Sequence, residues 1–343
     1  DFLLLFWTLV KLVLWFGLAY LMFKVYEFLV KPWMLRRKYL AYSNVSLADK
    51  FYPVLGDVAQ FNENERNNKF RMQHFIDIAT TKTDVDLKIV QNGPIVAFDL
   101  CSINSFNALE ELLPKHIDRF DHKGMLIGNI APGGMFLMPS DSKWDTRRKA
   151  ILKTIGINFA SKYISMMIQT VDHWAQNLKL DEELDFSGEL SKITFRIITK
   201  ILFGRDLDKM EKCEYISPFD GSVKMLDFEE CYFNYSKDEF TGFFMPIGKL
   251  FPFLANYNLI EPYKSTARNK FAIDNTLKAF LAKSTDDQSV YRQILENYKL
   301  TKDEVFADML MLLFAGFDTT AHGLASALYN LKKYPATMTN LKK

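Results

Sequence analysis

The residues best suited to chemistry stand together in one hexapeptide, Ala315-Gly316-Phe317-Asp318-Thr319-Thr320, inside a long apolar run. Two small residues at 315 and 316 leave a notch through which a ligand can approach the backbone closely. A Thr hydroxyl bonds a carbonyl one turn back and loosens the helix around it. A carboxylate buried in an apolar helix is costly unless it is used, so the sequence expects Asp318 to sit inside and to have a task. Residues that break the rules of an otherwise consistent element mark function. The same six residues also suit a helix kink packed against a neighbour, with Asp318 bonded to a backbone group, and both readings stand at this level.

The element that must carry the hexapeptide is well delimited. Thr301-Lys302-Asp303-Glu304 forms a capping box, in which the Thr301 hydroxyl accepts from the third backbone N–H and the Glu304 carboxylate bonds back. Val305, Phe306, Met309, Leu310, Leu312, Leu313 and Phe314 then make the helix apolar nearly all round, as for a helix crossing a domain's centre. Lys332-Lys333-Tyr334-Pro335 ends it, with cations on the negative end of the dipole and a proline that cannot continue the ladder. The span 302–333 is about 48 Å long at the usual rise, a domain axis.

Periodicity predicts further helices over about 103–113, 142–155, 160–180, 187–203, 264–283 and 286–298. Residues 70–82 also carry apolar side chains at helical spacing. Between Asp86 and Phe98 two β-prone runs flank Asn92-Gly93, a hairpin signal, and the chain after it reads mainly as helix. The five histidines show no paired metal spacing, and His322 reads as a helix-face residue.

Residues 2–23 contain one charge, Lys11, and are long enough to cross a hydrocarbon core as a helix. Lys24, Lys31, Arg36, Arg37 and Lys38 follow without a small-residue cleavage site, so the segment reads as a signal anchor with its basic flank and the bulk of the chain cytosolic. An apolar core helix or an in-plane helix is the alternative. Residues 24–58, with Pro32, Pro53 and Gly56, read as a linker, and 59–343 as the main domain. Lys and Arg number 43 against 41 Asp and Glu, a net charge of +2 that leaves no excess to neutralise phosphates, so nucleic-acid binding is set aside. The three cysteines need not pair in a reducing compartment.

The hexapeptide resembles the (Ala/Gly)-Gly-x-(Asp/Glu)-Thr-(Thr/Ser) signature of the cytochrome P450 family, haem-thiolate monooxygenases, in the long helix over the distal face of the haem. Other parts follow in the family's order: the anchor, the Asn-Gly hairpin, Trp144-x-x-x-Arg148, and a helix ending Ile201-Leu202-Phe203-Gly204. The resemblance implies a mainly α (α+β) P450-like fold with a long central helix and a small sheet near the N-terminus. Thr319 then looks like the hydroxyl that bonds dioxygen at the iron, and Asp318 like the acid that feeds protons to it. Ala315 and Gly316 would form the wall and notch over the iron, with Thr320 beside them. Trp144 and Arg148 lie four apart on one helix face and can both reach a carboxylate, in the family a haem propionate. Arg148 could equally belong to a solvated basic face with Arg147 and Lys149. The family's usual Gly three residues before the Trp is Asp141 here.

The family's iron ligand is a Cys in Phe-x-x-Gly-x-x-x-Cys-x-Gly, well after the long helix. Cys101, Cys213 and Cys231 all precede that helix and none has Gly two residues on, so the axial ligand is expected beyond Lys343 and no metal ligand is assigned in this chain. The family's Glu-x-x-Arg is also missing, since Glu63-Asn64-Glu65-Arg66 lies in the wrong region. The sequence thus reads as an N-terminal fragment, inactive as it stands. It would belong to a membrane-anchored enzyme, in the endoplasmic reticulum, that hydroxylates an apolar small molecule with dioxygen. Electrons would come from NADPH through a flavoprotein reductase, which the basic cluster Arg147, Lys149 and Lys153 could help dock. Phe228, Phe233, Phe240, Phe243, Phe244, Phe251 and Phe253 fall where the family's pocket roof lies, although core packing explains most of them. The alternatives are a haem-free, membrane-tethered helical interaction protein, and a helical membrane protein in which Asp318 and Thr319 are structural.

Overall fold

A computed structural model describes residues 2–47, 59–69, 87–91, 100–103, 105–115, 130–156, 161–178, 184–204, 210–243, 245–284 and 288–341, with isolated positions between 51 and 80. It divides into two compact units, Asp1–Ile117 with Phe244–Pro252, and Asp118–Phe243 with Phe253–Lys343.

The first unit starts with α1 (Phe2–Val25), followed by a π turn at Tyr26–Val30 and α2 (Lys31–Leu40). Pro32 lacks an N–H and its ring crowds the carbonyl four residues back; the wider π turn just before it absorbs both defects, so the helix runs on where the sequence expects a linker. The whole helix, Phe2–Leu40, is long and apolar enough to cross a membrane, with mean hydropathy 2.1 in its most apolar 18-residue window and none of that window buried. Arg37 lies over the Trp33 ring at 4.7 Å and Lys24 over Tyr20 at 5.6 Å, pairings suited to a membrane–water boundary. Strand β1 (Val45–Leu47), helix α3 (Ala59–Arg66), strands β2 (Leu87–Val90) and β3 (Leu100–Ile103) and helix α4 (Phe106–Lys115) follow. The sheet order is β1-β2-β3, with β1 parallel to β2 and β3 antiparallel. Val90 pairs with Leu100, so β2 finds its partner beyond the expected Ile95–Phe98 run. Asn92-Gly93, that run and most of the 70–82 helix lie outside the described residues.

In the second unit α5 (Ser142–Thr154), α6 (Ile164–Gln176) and α7 (Phe186–Phe203) fall within a few residues of their predicted spans. Strands β4 (Cys213–Ile216) and β5 (Val223–Leu226) lie in a stretch to which the sequence reading assigns no element: they form an antiparallel hairpin whose turn includes Asp220 and Gly221, the glycine at φ +70°. Helix α8 (Phe228–Phe243) comes next. The short helix α9 (Pro246–Leu250) belongs to the first unit; α10 (Pro252–Asn256), at the boundary, precedes α11 (Tyr263–Lys283), α12 (Val290–Asn297), α13 (Lys302–Lys333) and α14 (Pro335–Leu341). Helix α13 has its predicted bounds and its capping box is formed.

The core of this unit is α7 packed along the first half of α13. Phe317 stands in a ring cluster with Phe195 at 5.5 Å, Phe233 at 5.3 Å and Tyr232 at 6.1 Å. Each such side chain contributes about 1.5–3 kcal/mol by leaving water, so the cluster holds the hexapeptide's backbone in place. Of the Phe-rich stretch, Phe228 is buried and Phe233 packs on the core, whereas Phe240, Phe251 and Phe253 are exposed.

Candidate functional site

Helix α13 changes character at the hexapeptide. Val305–Met311, Leu313 and Phe317 are buried, but after Phe317 only Ala321 is, and Asp318, Thr319 and Thr320 are exposed. The structure therefore corrects the expectation of a buried Asp318: its side chain keeps 53% of its surface, because Phe317 and Ala321 occupy the inward face of that turn. Three successive carbonyls of this turn each take a hydroxyl in addition to their helical N–H. Thr319 Oγ1 donates to Ala315 O at 2.8 Å, Thr320 Oγ1 to Gly316 O at 2.8 Å, and Thr194 Oγ1 of α7 to Phe317 O at 3.0 Å. Such sharing weakens the ladder locally without breaking it. His322 Nδ1 lies 2.8 Å from the Asp318 carbonyl, which can only accept, so that nitrogen carries the hydrogen; it also lies 3.5 Å from Asp318 Oδ1.

The two small residues do different work. A Cβ on Gly316 would meet Ile198 Cγ1 at 3.0 Å and Cδ1 at 3.2 Å, so this glycine serves the close approach of α7. The notch expected from Gly316 is thus filled by Ile198. Ala315 stands one residue before it, half-buried, its carbonyl bonded by the exposed Thr319 one turn on.

On α5, Asp141 is the N-cap, its Oδ1 accepting from Trp144 N at 2.7 Å. The residue that departs from the resemblance thus starts the helix that carries Trp144. Trp144 is half-buried and Arg148 exposed, with the Arg148 guanidinium 5.6 Å from the indole centroid. Arg148 makes no ion pair among the described residues, which leaves its donors available to an anion.

Arg147, read in sequence as part of a solvated basic cluster, is 2% exposed. Its Nε donates to Asp308 Oδ2 at 2.8 Å and its Nη2 to Asp308 Oδ1 at 2.5 Å, with Nη2 also reaching Gly133 O and Glu304 O. Burial pushes the Asp308 carboxyl above the usual carboxylate range, and the bonds from Arg147 oppose that rise. A buried arginine facing a buried carboxylate satisfies both charges, so Arg147 cannot also be a docking residue. Of its neighbours, Lys149 pairs with Asp145 and Lys143 with Glu304. Asp308 was legible by the rule that singled out Asp318, a carboxylate inside an apolar run; no periodicity signal separates Arg147 from Arg148.

The sequence profile described as Cytochrome P450 matches residues 101–343, which include α5, α7 and the whole of α13. The chain belongs to the cytochrome P450 family. Among curated relatives, cytochrome P450 3A40 of Oryzias latipes is 25% identical over 223 residues, covering 59% of this chain and 42% of the relative. Cytochrome P450 4F8 of Homo sapiens is 24% identical over 220 residues, with the same coverage of each. Cytochrome P450 4F6 of Rattus norvegicus is 24% identical over 294 residues, covering 79% of this chain and 52% of the relative. The P450 chain described here thus spans about half the length of the curated relatives it matches or less. Its mainly helical architecture with small sheets is that of a P450 fold.

Proposed function

We propose that the chain serves haem-dependent monooxygenation, the hydroxylation of an apolar small molecule with dioxygen, with electrons from NADPH through a flavoprotein reductase. The observation that carries this reading is the stripe of half-buried Ala315 and exposed Asp318 and Thr319 where helix α13 leaves the core, with an unpaired Arg148 on the neighbouring α5. Haem fits this donor set: a flat macrocycle needs small side chains against its face, and its propionates need a cation such as the one stacked on Trp144. When bound, haem supplies the iron chemistry that cleaves dioxygen and oxidises a C–H bond.

The chain's own residues prepare the place. Arg148 holds a propionate oxygen by its guanidinium N–H groups, and the Trp144 ring keeps that guanidinium in position. Ala315 leaves room beside the helix. Thr319 has its hydroxyl proton committed to Ala315 O at 2.8 Å, so its oxygen faces outward as an acceptor, and a rotation about χ1 turns it into a donor. Asp318 stands in contact with solvent, takes protons from water at its carboxylate and delivers them inward to the Thr319 hydroxyl. Gly316 and Thr320 shape the turn that presents these groups. The helix Phe2–Leu40 anchors the protein in the endoplasmic reticulum membrane, with the basic flank and the catalytic part cytosolic.

The test is the absorption spectrum of the protein expressed from its complete reading frame, reduced and exposed to carbon monoxide. A band at the position typical of thiolate ligation supports the reading. In the same preparation, Arg148→Gln weakens haem binding by about tenfold. A protein that purifies folded but takes up no haem refutes it.

A further inference from the structure

Helix α5 meets the first turns of α13 through two rungs. Lys143 Nζ reaches Glu304 Oε1 at 2.7 Å, and one turn further on Arg147 grips Asp308 from both of its acid-facing nitrogens. The outer rung is partly open to water, while both members of the inner one are 2% exposed. The loop before α5 is tied into the same knot. Met135 N donates to Asp308 Oδ1 at 2.8 Å, Gly133 O accepts from Arg147 at 2.9 Å, and Arg147 Nη1 lies 3.1 Å from Met138 Sδ. Glycine is required here twice. Gly133 has φ +78°, and a Cβ on Gly134 would lie 2.7 Å from Met311 Cε and 3.3 Å from Ala307 O.

The knot fixes directions as well as contacts. With Arg147 aimed at Asp308, Trp144 and Arg148 lie about 60–100° round α5, on one flank. On α13, Ala315 and Thr319 are seven and eleven residues beyond Asp308, within about 20° of the same line and about 10 Å and 16 Å along the axis. One buried pair therefore references both the indole–guanidinium platform and the Thr319 stripe to a common origin.

We propose that Arg147–Asp308 is a positioning pair: it sets the rotation of α5 against α13, so that Arg148 and Trp144 reach the bound group while Ala315 and Thr319 face it. The pair touches no reacting atom, and its effect is exerted through Arg148. This rests on the haem reading above. A bidentate buried pair is suited to such a role because it specifies both separation and angle, which apolar packing of similar volume does not.

The experiment compares wild type, Asp308→Asn and the double replacement Arg147→Met with Asp308→Leu, each expressed from the complete reading frame. Haemin is titrated and followed by Soret absorbance, thermal midpoints are measured without haemin, and hydrogen exchange is followed over 133–154. Asp308→Asn is expected to lose protection at 133–138 and along α5 and to bind haemin about tenfold more weakly. The double variant, with no buried charge left, is expected to regain the wild-type midpoint while haemin binding stays weakened. Wild-type midpoint together with wild-type affinity in the double variant would overturn the positioning role, leaving the pair structural. Unchanged exchange in Asp308→Asn would overturn the knot itself, whatever haemin does. A wild-type protein without a Soret band would overturn the haem reading, and with it the ligand that the pair positions, while the exchange arm still decides whether the pair fixes loop and helix.

Discussion

Replacing Gly316 with Ala tests whether the glycine of the hexapeptide exists for helix packing. Two opposed effects set the outcome. Ala in a helix interior is favoured over Gly by about 1 kcal/mol. Against that, the new methyl would lie 3.0 Å from Ile198 Cγ1 and 3.2 Å from Cδ1, inside the ordinary contact distance, with Ile198 Cβ behind them at 3.8 Å. Relief requires Ile198 to leave its rotamer or α7 to shift, and β-branching restricts the first while Thr194, tying α7 to the Phe317 carbonyl one turn away, resists the second. Overpacking of this kind costs about 1–3 kcal/mol, so the net effect of Gly316→Ala is a loss of about 1 kcal/mol. In an Ile198→Ala background the two closest atoms are gone, and the same substitution should stabilise by about 1 kcal/mol. Urea unfolding followed by far-ultraviolet circular dichroism in detergent reads this sign reversal, a coupling of about 2 kcal/mol. Stabilisation by the same amount in both backgrounds would refute the packing account and return the glycine to the ligand side of the helix.

Two further outcomes follow from the α5–α13 junction. Asp308→Asn leaves the Arg147 cation buried against a neutral partner and should cost about 3–5 kcal/mol in chemical unfolding, while Arg147→Met with Asp308→Leu should come back to within about 1 kcal/mol of wild type. Glu304 is held down to about 2 by Lys143 and the Thr301 N–H, so its share of stability is complete above its ordinary value of 4.5 and is lost as the pH falls from there towards 2. Wild type and Glu304→Gln should accordingly differ in midpoint at pH 7 and converge at pH 2–3; a constant difference across that window would contradict the assignment.

The long helix was legible because its ends are chemically marked, by Thr301 and Glu304 at one and Lys332 to Pro335 at the other, and because the run from Val305 to Phe317 is apolar apart from Asp308. Trp144 and Arg148 were legible as one face of a helix. Arg147 was not, since an Arg-Arg-Lys run reads as a solvated face until a buried carboxylate is known to stand opposite, and that carboxylate lies 161 positions away. Asp318 shows the converse: its apolar neighbours in sequence predict burial, but Phe317 and Ala321 take the inward face of that turn and leave Asp318 beside the exposed Thr319 and His322. The β4–β5 hairpin carried a local signal, Asp220-Gly221 between short runs with aliphatic and aromatic residues, in a stretch where no helical periodicity was assigned.

The central claim is that the Asp318–Thr319 stripe handles the protons of oxygen reduction. Its most direct test is the fraction of consumed dioxygen released as hydrogen peroxide, measured with NADPH and reductase for Thr319→Ala and Thr320→Ala in the protein from its complete reading frame. The account predicts a rise of several-fold for Thr319→Ala and a value near wild type for Thr320→Ala, which lies about 100° further round the helix, away from the Ala315–Thr319 line. Equal peroxide fractions in wild type and Thr319→Ala would contradict it.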